Sequence, residues 1–136
     1  MDKIDRKFII SNKTVIVRHC FINALCLRRE AGILMDKNAH ARAHFLIIAA
    51  LEEIAKAVMI MNKEIETKGF KSLVDHKSKA LEIVKIIANY FKYNLTEDAK
   101  KEMSSRIVRM REDALYTRLK PTPENQFRPD DKYWEK

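Results

Sequence analysis

Two charged residues, Glu52 and Lys56, lie inside the longest apolar stretch of this sequence, residues 43–61. That stretch predicts one long central helix, on which residues four apart lie one above the other on the same face. The neighbours expected on that face, including Phe45 and Ile48, are apolar. Because a charged group is costly to bury without a partner, the two residues form either a structural ion pair or part of a functional site.

A second group of residues that could do chemistry follows the glycine at position 69. Its members are Asp75, His76, Lys77 and Lys79. If the helices before and after Gly69 are antiparallel, His76 approaches Lys56 across their interface, with an offset of roughly one to two helical turns. A histidine flanked by cations that stabilise the charge on a reacting phosphate is what metal-free RNA cleavage by 2′-hydroxyl attack requires. The alternative is a buried Glu52–Lys56 ion pair beside a solvated helix start.

A basic segment around residue 110 has both a functional and a structural interpretation. It contains Arg106, Arg109, Arg111, Tyr116 and Arg118. Arginine beside an aromatic residue can hold a phosphate and stack a base, so Arg109 and Tyr116 are candidate RNA contacts, together with Lys79. An amphipathic helix that binds no ligand shows the same pattern.

His40 and His44 are spaced so that two imidazoles on one helix could share a metal ion. A zincin-type helix needs glutamate directly after the first histidine, where this sequence has Ala41, and the spacing indicates no third ligand. The two residues are therefore interpreted as surface or interface histidines, and neither a metal nor a cofactor is expected.

Apolar residues at helical spacing predict four helices that would position these groups. The predicted ranges are 12–34, 40–67, 72–93 and 97–119, the last with a capping signal at Thr96. With 2 glycines and 3 prolines among 136 residues, the chain has few of the turn-forming residues that a strand-rich fold needs. Short connections favour antiparallel neighbours. The prediction is an all-α, antiparallel four-helix bundle over residues 1–120, followed by a short irregular tail, 121–136.

Charge and cysteine content narrow the functional classes. Lys and Arg exceed Asp and Glu by 27 to 19, and the net charge of +8 attracts polyanions non-specifically. Cys20 and Cys26 are six residues apart, which on a helix turns them to different faces and rules out a local disulfide, so they are interpreted as buried thiols. No signal-peptide pattern is present at the N-terminus, so a cytoplasmic location is expected. The charges at positions 52, 53 and 56 argue against a membrane span.

Three motifs, in this order, resemble a known family. They are Ala49-Ala-Leu-Glu-Glu-Ile-Ala-Lys56, Asp75-His-Lys-x-Lys79 and a segment that runs from Arg109 to Leu115-Tyr116. Over roughly residues 20 to 130 the sequence is similar to the AbiV family of abortive infection proteins, which belongs to the HEPN superfamily of small α-helical proteins. The resemblance implies a helical bundle that forms homodimers and acts in bacterial defence against phage, where an infected cell stops making phage protein.

The resemblance also implies a chemistry. HEPN relatives are often metal-independent ribonucleases that carry an Arg-x(4–6)-His motif and an upstream Glu-x-x-x-Lys. Glu52 and Lys56 match the upstream element, whereas the histidine motif is here Lys71-Ser-Leu-Val-Asp-His76, with lysine in the place of arginine. His76 would be the general acid or base, with Lys71 and Lys77 steadying the phosphate. Glu52 and Lys56 would orient these groups. Lysine supplies the charge of arginine but not its two-point contact with phosphate.

Hypotheses of different functional classes follow. In the first, the protein is a cytoplasmic homodimer that acts on RNA or on the translation machinery, as a metal-independent ribonuclease if it cleaves. In the second, it is a non-catalytic helical module that binds a phage or host protein, and Glu52–Lys56 is a buried pair that fixes the helix register. A third hypothesis is a polyanion-binding helical protein without a role in defence.

Overall fold

Helices make up all the regular structure of the residues described. The computed structural model describes residues 6–62 and 70–115. Within these ranges the elements are α1 (Arg6–Ser11), α2 (Lys13–Asp36), α3 (His40–Met61), a 3-10 turn (Phe70–Leu73), α4 (His76–Tyr90) and α5 (Glu97–Leu115). The predicted all-α helical bundle is confirmed.

Helix α3 lies at the centre of the bundle. It packs along α2 on one side and against α4 and α5 on the other, and α4 also packs against α5. Five alanines of α3 are buried, and such small side chains let neighbouring helices approach closely. Glu52 is the one charged residue among the buried residues of this helix. A carboxylate is therefore held inside the bundle.

An apolar cluster ties the end of α3 to the segment that leads into α4. Ile60, Phe70 and Leu73 are buried together, and Ile9 of α1 and Ile16 of α2 pack against them. Burying three side chains of this size contributes roughly 5 to 9 kcal/mol of hydrophobic stabilisation before entropy is subtracted. The cluster thus fixes the position from which α4 begins.

The start of α4 differs from the sequence prediction. A single helix was expected over 72–93, but the 3-10 turn ends at Leu73 and α4 begins only at His76. The cause is Asp75, whose carboxylate accepts hydrogen bonds from the Ser78 backbone N–H at 3.2 Å and the Ser78 hydroxyl at 2.6 Å. An aspartate that caps a helix in this way ends the preceding turn and sets the first residue of the next helix.

Two helices end in the same way. Asn38 after α2 and Lys92 after α4 both have a positive φ, 60° and 57° respectively. In each case the next residue's N–H reaches back five residues, from Ala39 to the Leu34 carbonyl at 2.9 Å and from Tyr93 to the Ala88 carbonyl at 2.8 Å. These are Schellman motifs, in which the left-handed position usually belongs to glycine.

Some of the other predicted helix boundaries fall within the described residues, and others lie outside them. Helix α2 extends to Asp36, two residues beyond the predicted end, and α1 was not predicted. The cap at Thr96 is confirmed, because its hydroxyl accepts the Ala99 N–H at 3.1 Å. Gly69, the predicted helix end at Thr67 and the tail 121–136 lie outside the described residues. No helix in the described ranges combines the length and apolar character needed to cross a membrane.

Candidate functional site around Glu52

Three side chains that carry or can carry positive charge converge on the buried carboxylate of Glu52. His76 Nδ1 lies 3.2 Å from each carboxylate oxygen. Lys79 Nζ lies 3.3 Å from Oε2, and Arg111 Nε lies 3.2 Å from Oε1. Two basic side chains and an imidazole thus face one carboxylate, so basic groups outnumber acidic ones in the cluster. We call these four residues the Glu52 site.

Helix α3 and the two helices that pack on this side of it, α4 and α5, each supply a part of the Glu52 site. Glu52 comes from the middle of α3, and Arg111 comes from the last turns of α5. His76 and Lys79 are three residues apart at the start of α4, which brings both side chains to the same side of that helix. Since the Asp75 cap sets where α4 begins, it also determines which side chains face Glu52.

Exposure differs sharply across the site. The side chains of Glu52 and Lys79 are each 10% exposed, whereas that of His76 is 45% exposed. The imidazole therefore forms the solvent-facing edge of a cluster whose other charges are largely buried. Because Nδ1 faces Glu52, Nε2 is the ring nitrogen left to exchange a proton with a ligand.

Arg111 is held by its surroundings rather than by an aligned hydrogen bond. Its guanidinium carbon lies 5.2 Å from the centre of the Phe45 ring, a cation–π contact, and its buried Nε makes no hydrogen bond despite its closeness to Glu52. Glu52 and Phe45 are the partners that the described residues provide for this guanidinium. An arginine fixed on an aromatic ring and close to a carboxylate is oriented in advance for contact with an anion.

Lys56 does not join Glu52, which corrects the expected Glu52–Lys56 pair. Its Nζ lies 2.5 Å from Oε1 of Glu53, three residues earlier on the same helix. Successive helical residues are turned by about 100°, so Glu52 and Glu53 face different neighbours. Glu52 already has three partners from α4 and α5, while Glu53 and Lys56 line a groove beside α2.

A buried thiol completes the second cluster. Burial raises the pKa of the Cys20 thiol, the charge of Lys56 acts in the opposite direction, and the negative charge and hydrogen-bonding carboxylate of Glu53 raise it further. Cys20 is therefore held as a protonated thiol beside a balanced ion pair. Cys26, the other cysteine, is a free thiol at the surface, which corrects the expectation that both thiols are buried. We call Cys20, Glu53 and Lys56 the Glu53 cluster.

The structure brings together some of the predicted site residues and separates others. Glu52, His76 and Lys79 meet as described above. Lys71 and Lys77 are exposed, and in the described part of the chain neither forms an ion pair or a hydrogen bond with Glu52 or His76. The catalytic and RNA-binding roles assigned to these residues stay predictions.

Two predicted RNA contacts lie away from the Glu52 site or outside the described residues. Arg109 is exposed on α5, and Tyr116 lies beyond the described end of that helix.

His40, considered in the sequence as a metal ligand, has its Nδ1 3.4 Å from the sulfur of Met35. Within residues 6–62 and 70–115, no three His, Cys, Asp or Glu side chains cluster in a way that could hold a metal ion.

Arg111 is the site residue that the sequence prediction missed. In the sequence it belongs to a basic helix with other arginines, but it stands four residues after Ile107 and three before Ala114. That spacing places it in the apolar stripe of α5, where a charged residue needs a partner inside the bundle. The same signal that drew attention to Glu52 was therefore present for Arg111.

Comparisons with known proteins give one finding. A family model described as AbiV, of the HEPN group, matches residues 14–129. This range covers most of the chain and includes all four residues of the Glu52 site. No curated protein and no solved structure matches the chain.

Proposed function

The chain belongs to the AbiV family of the HEPN superfamily, and from this we propose that it is a cytoplasmic phage-defence protein of the abortive infection type that cleaves RNA without a metal ion. The observation that carries the proposal is the contact of His76 Nδ1 with both oxygens of a buried Glu52, with Lys79 and Arg111 on the same carboxylate. A carboxylate–imidazole pair with an exposed second nitrogen is suited to proton transfer.

The proposed reaction uses the 2′-hydroxyl of RNA as the nucleophile. His76 Nε2 takes the proton of that hydroxyl while its oxygen attacks the adjacent phosphorus. The bond from phosphorus to the 5′-oxygen breaks, giving a 2′,3′-cyclic phosphate, and the 5′-oxygen takes up a proton from solvent or from the protonated imidazole. Glu52 holds the ring in orientation and stabilises its charged form. Lys79 and Arg111 stabilise the negative charge that grows on the phosphate oxygens.

We assign to Arg111 the role that the motif arginine has in HEPN relatives. Position 71 carries lysine, whose ammonium cannot make the two-point contact of a guanidinium with phosphate. Arg111 supplies a guanidinium to the site from a different helix. Lys71 and Lys77, exposed on either side of His76 in the chain, are proposed to contact flanking phosphates, and Arg109 to bind the strand further along.

Replacing the histidine tests the proposed chemistry. We expect His76→Ala to lower the rate of RNA cleavage by about 100-fold or more and to remove phage resistance, because a general base contributes on the order of 100 to 10,000-fold. The measurements are cleavage of labelled RNA by the purified protein in the presence of EDTA, and plaque counts on cells that express each variant. His40→Ala, which alters another exposed histidine, should leave both unchanged. Undiminished cleavage and resistance in His76→Ala would remove the assignment.

A second candidate function, a non-catalytic interaction module, is favoured by the outer surface of α1 and α2. Helix α2 packs on α3 with one side, and large apolar residues of α1 and α2 remain exposed elsewhere. They are Phe8, Ile10, Val15, Phe21, Ile22, Leu25, Ile33 and Met35. Exposed apolar patches of this kind mark interaction surfaces. A groove of about 1030 Å³ on this side also reaches Glu53, Lys56 and Lys79.

We propose that a second copy of the chain covers this α1–α2 face, so that the protein acts as a homodimer. Leu25, 64% exposed, should then lie in the interface. We expect Leu25→Arg to convert a dimer into a folded monomer in sedimentation at micromolar concentration, whereas Met103→Arg on α5 should leave the dimer intact. A parent protein that sediments as a monomer would contradict the dimer. Binding of a phage or host protein to that monomer, lost in Leu25→Arg, would favour the interaction module.

A further inference from the structure

Three aromatic rings are exposed together where α4 ends. Tyr90, Phe91 and Tyr93 are 80%, 58% and 60% exposed. The rings of Phe91 and Tyr93 stack with their centres 5.7 Å apart and their planes 23° from parallel. Tyr90 meets Phe91 edge to face at 5.0 Å. The rings thus support one another while their outer surfaces remain open to solvent, which makes them a preformed aromatic surface.

The turn that arranges these rings contains a lysine in an unfavourable backbone conformation. Lys92 stands between Phe91 and Tyr93 at the left-handed position of the Schellman motif, with φ 57°. Glycine is preferred there because it has no Cβ, and any other residue costs stability. At the equivalent position after α2 the chain uses Asn38, a residue that tolerates this conformation better. A lysine kept at a strained position beside exposed rings points to a use for its side chain.

The charge nearest to the rings in the chain is positive. Lys92 lies between Phe91 and Tyr93, and Lys85 is the other charged residue between Glu82 and Glu97. Stacked aromatic rings with neighbouring cations are the composition of sites that bind single-stranded nucleic acid, because every base has a face to stack and every nucleotide has a phosphate. A protein partner would need apolar or acidic residues to match this surface. A single-stranded nucleic acid supplies bases that stack on the rings and phosphates that pair with the positive charge.

We infer that Tyr90, Phe91, Lys92 and Tyr93 form a platform that stacks unpaired bases of single-stranded RNA, with Lys92 on the adjoining phosphate. The inference rests on the proposed action on RNA and extends it to a second contact region. His76 begins α4 and Tyr90 ends it, so the platform lies about 21 Å from the Glu52 site along the helix, at 1.5 Å for each of 14 residues. A strand held on the platform is anchored outside the reacting centre.

A measurement of RNA binding tests the platform independently of RNA cleavage. All variants carry His76→Ala, so the probe, a fluorescein-labelled unstructured RNA of twelve nucleotides, stays intact in a fluorescence anisotropy titration. Adding Tyr90→Ala and Tyr93→Ala should weaken binding by about tenfold or more, since each stacked base contributes substantially to affinity. Because both side chains are exposed, the melting temperature should change little.

Lys92 provides a sharper, matched comparison. Lys92→Gly should raise the melting temperature, because it relieves the left-handed strain, and weaken RNA binding severalfold, because it removes a phosphate contact. Asn38→Gly relieves the same geometry after α2 and should leave RNA binding unchanged.

The outcomes distinguish this inference from the proposed function. If the ring variant binds RNA as tightly as its parent, while Arg111→Ala weakens binding, the platform is wrong and the Glu52 site stands. If the parent protein, which carries His76→Ala alone, binds no RNA, both the platform and the proposed action on RNA are wrong. If the ring substitutions abolish self-association and leave RNA binding unchanged, the surface is a protein interface and the inference is overturned.

Discussion

Glu52 and Glu53 are neighbours in the chain, yet the two faces of α3 give them different environments. Glu52 faces α4 and α5 and meets His76, Lys79 and Arg111. Glu53 faces α2 and pairs with Lys56. The turn of about 100° between adjacent helical residues is enough to send one carboxylate to each side of the bundle.

The difference between the two clusters separates a site from a structural contact. The Glu53 cluster balances one anion with one cation and holds a protonated thiol, so it has no charge left for a ligand. The Glu52 site has two basic side chains for one carboxylate, an imidazole that can exchange a proton, and an exposed edge at His76. An excess of basic groups, a proton-exchanging imidazole and exposure to solvent occur together only in the Glu52 site.

The largest effect should come from removing each cluster's central charge. Glu52→Ala leaves Lys79 buried without an anion and His76 without its orienting carboxylate, so we expect a loss of about 3 kcal/mol in unfolding free energy and loss of RNA cleavage. Lys56→Met, which removes the charge partner of Glu53, should cost about 1 kcal/mol and leave cleavage unchanged. Urea unfolding and the cleavage assay measure the two effects. Cleavage lost in Lys56→Met and retained in Glu52→Ala would reverse the assignment of the two faces.

A smaller effect on cleavage should show whether the Glu52 site needs the guanidinium group of Arg111 or only its positive charge. Arg111→Lys keeps the positive charge but loses the planar contact with phosphate and the stacking on Phe45, so we expect cleavage to fall by about tenfold with little change in stability. Arg106→Lys on the same helix, which alters an exposed pair with Glu102, should have no effect on cleavage. Equal rates for both variants would mean that Arg111 acts only as a charge, or not at all.

The sequence predicted what depends on spacing within one helix. Apolar periodicity gave the helices, the hydroxyl of Thr96 gave a cap, and the apolar stretch 43–61 gave the central helix with a charge that needs a partner. The three motifs identify the same family whose model matches residues 14–129.

What the sequence did not predict depends on how helices are rotated against one another. Whether Lys56 turns to Glu52 or Glu53 is decided by what already surrounds Glu52, and those partners come from residues 24 to 59 positions further along the chain. The Asp75 cap changes the register as well. The helix predicted from Ser72 begins only at His76, and Lys71 lies in the preceding 3-10 turn, where it is exposed.

The smallest effect should appear in the Glu53 cluster at alkaline pH. Burial raises the pKa of the Cys20 thiol above its ordinary value of 9.0, so the folded protein keeps a proton that the unfolded chain releases. The stability this provides is fully present below pH 9 and is lost as the pH rises towards the folded value, by at most about 1.4 kcal/mol for each pH unit. Cys20→Ala should therefore lose less stability than the parent between pH 8 and about pH 10 in urea unfolding, whereas Cys26→Ala, whose thiol is exposed, should follow the parent. Identical slopes in the parent and Cys20→Ala would show that burial does not raise the pKa of the Cys20 thiol, and the contrast between the Glu53 cluster and the Glu52 site would then rest on the Glu52 variants alone.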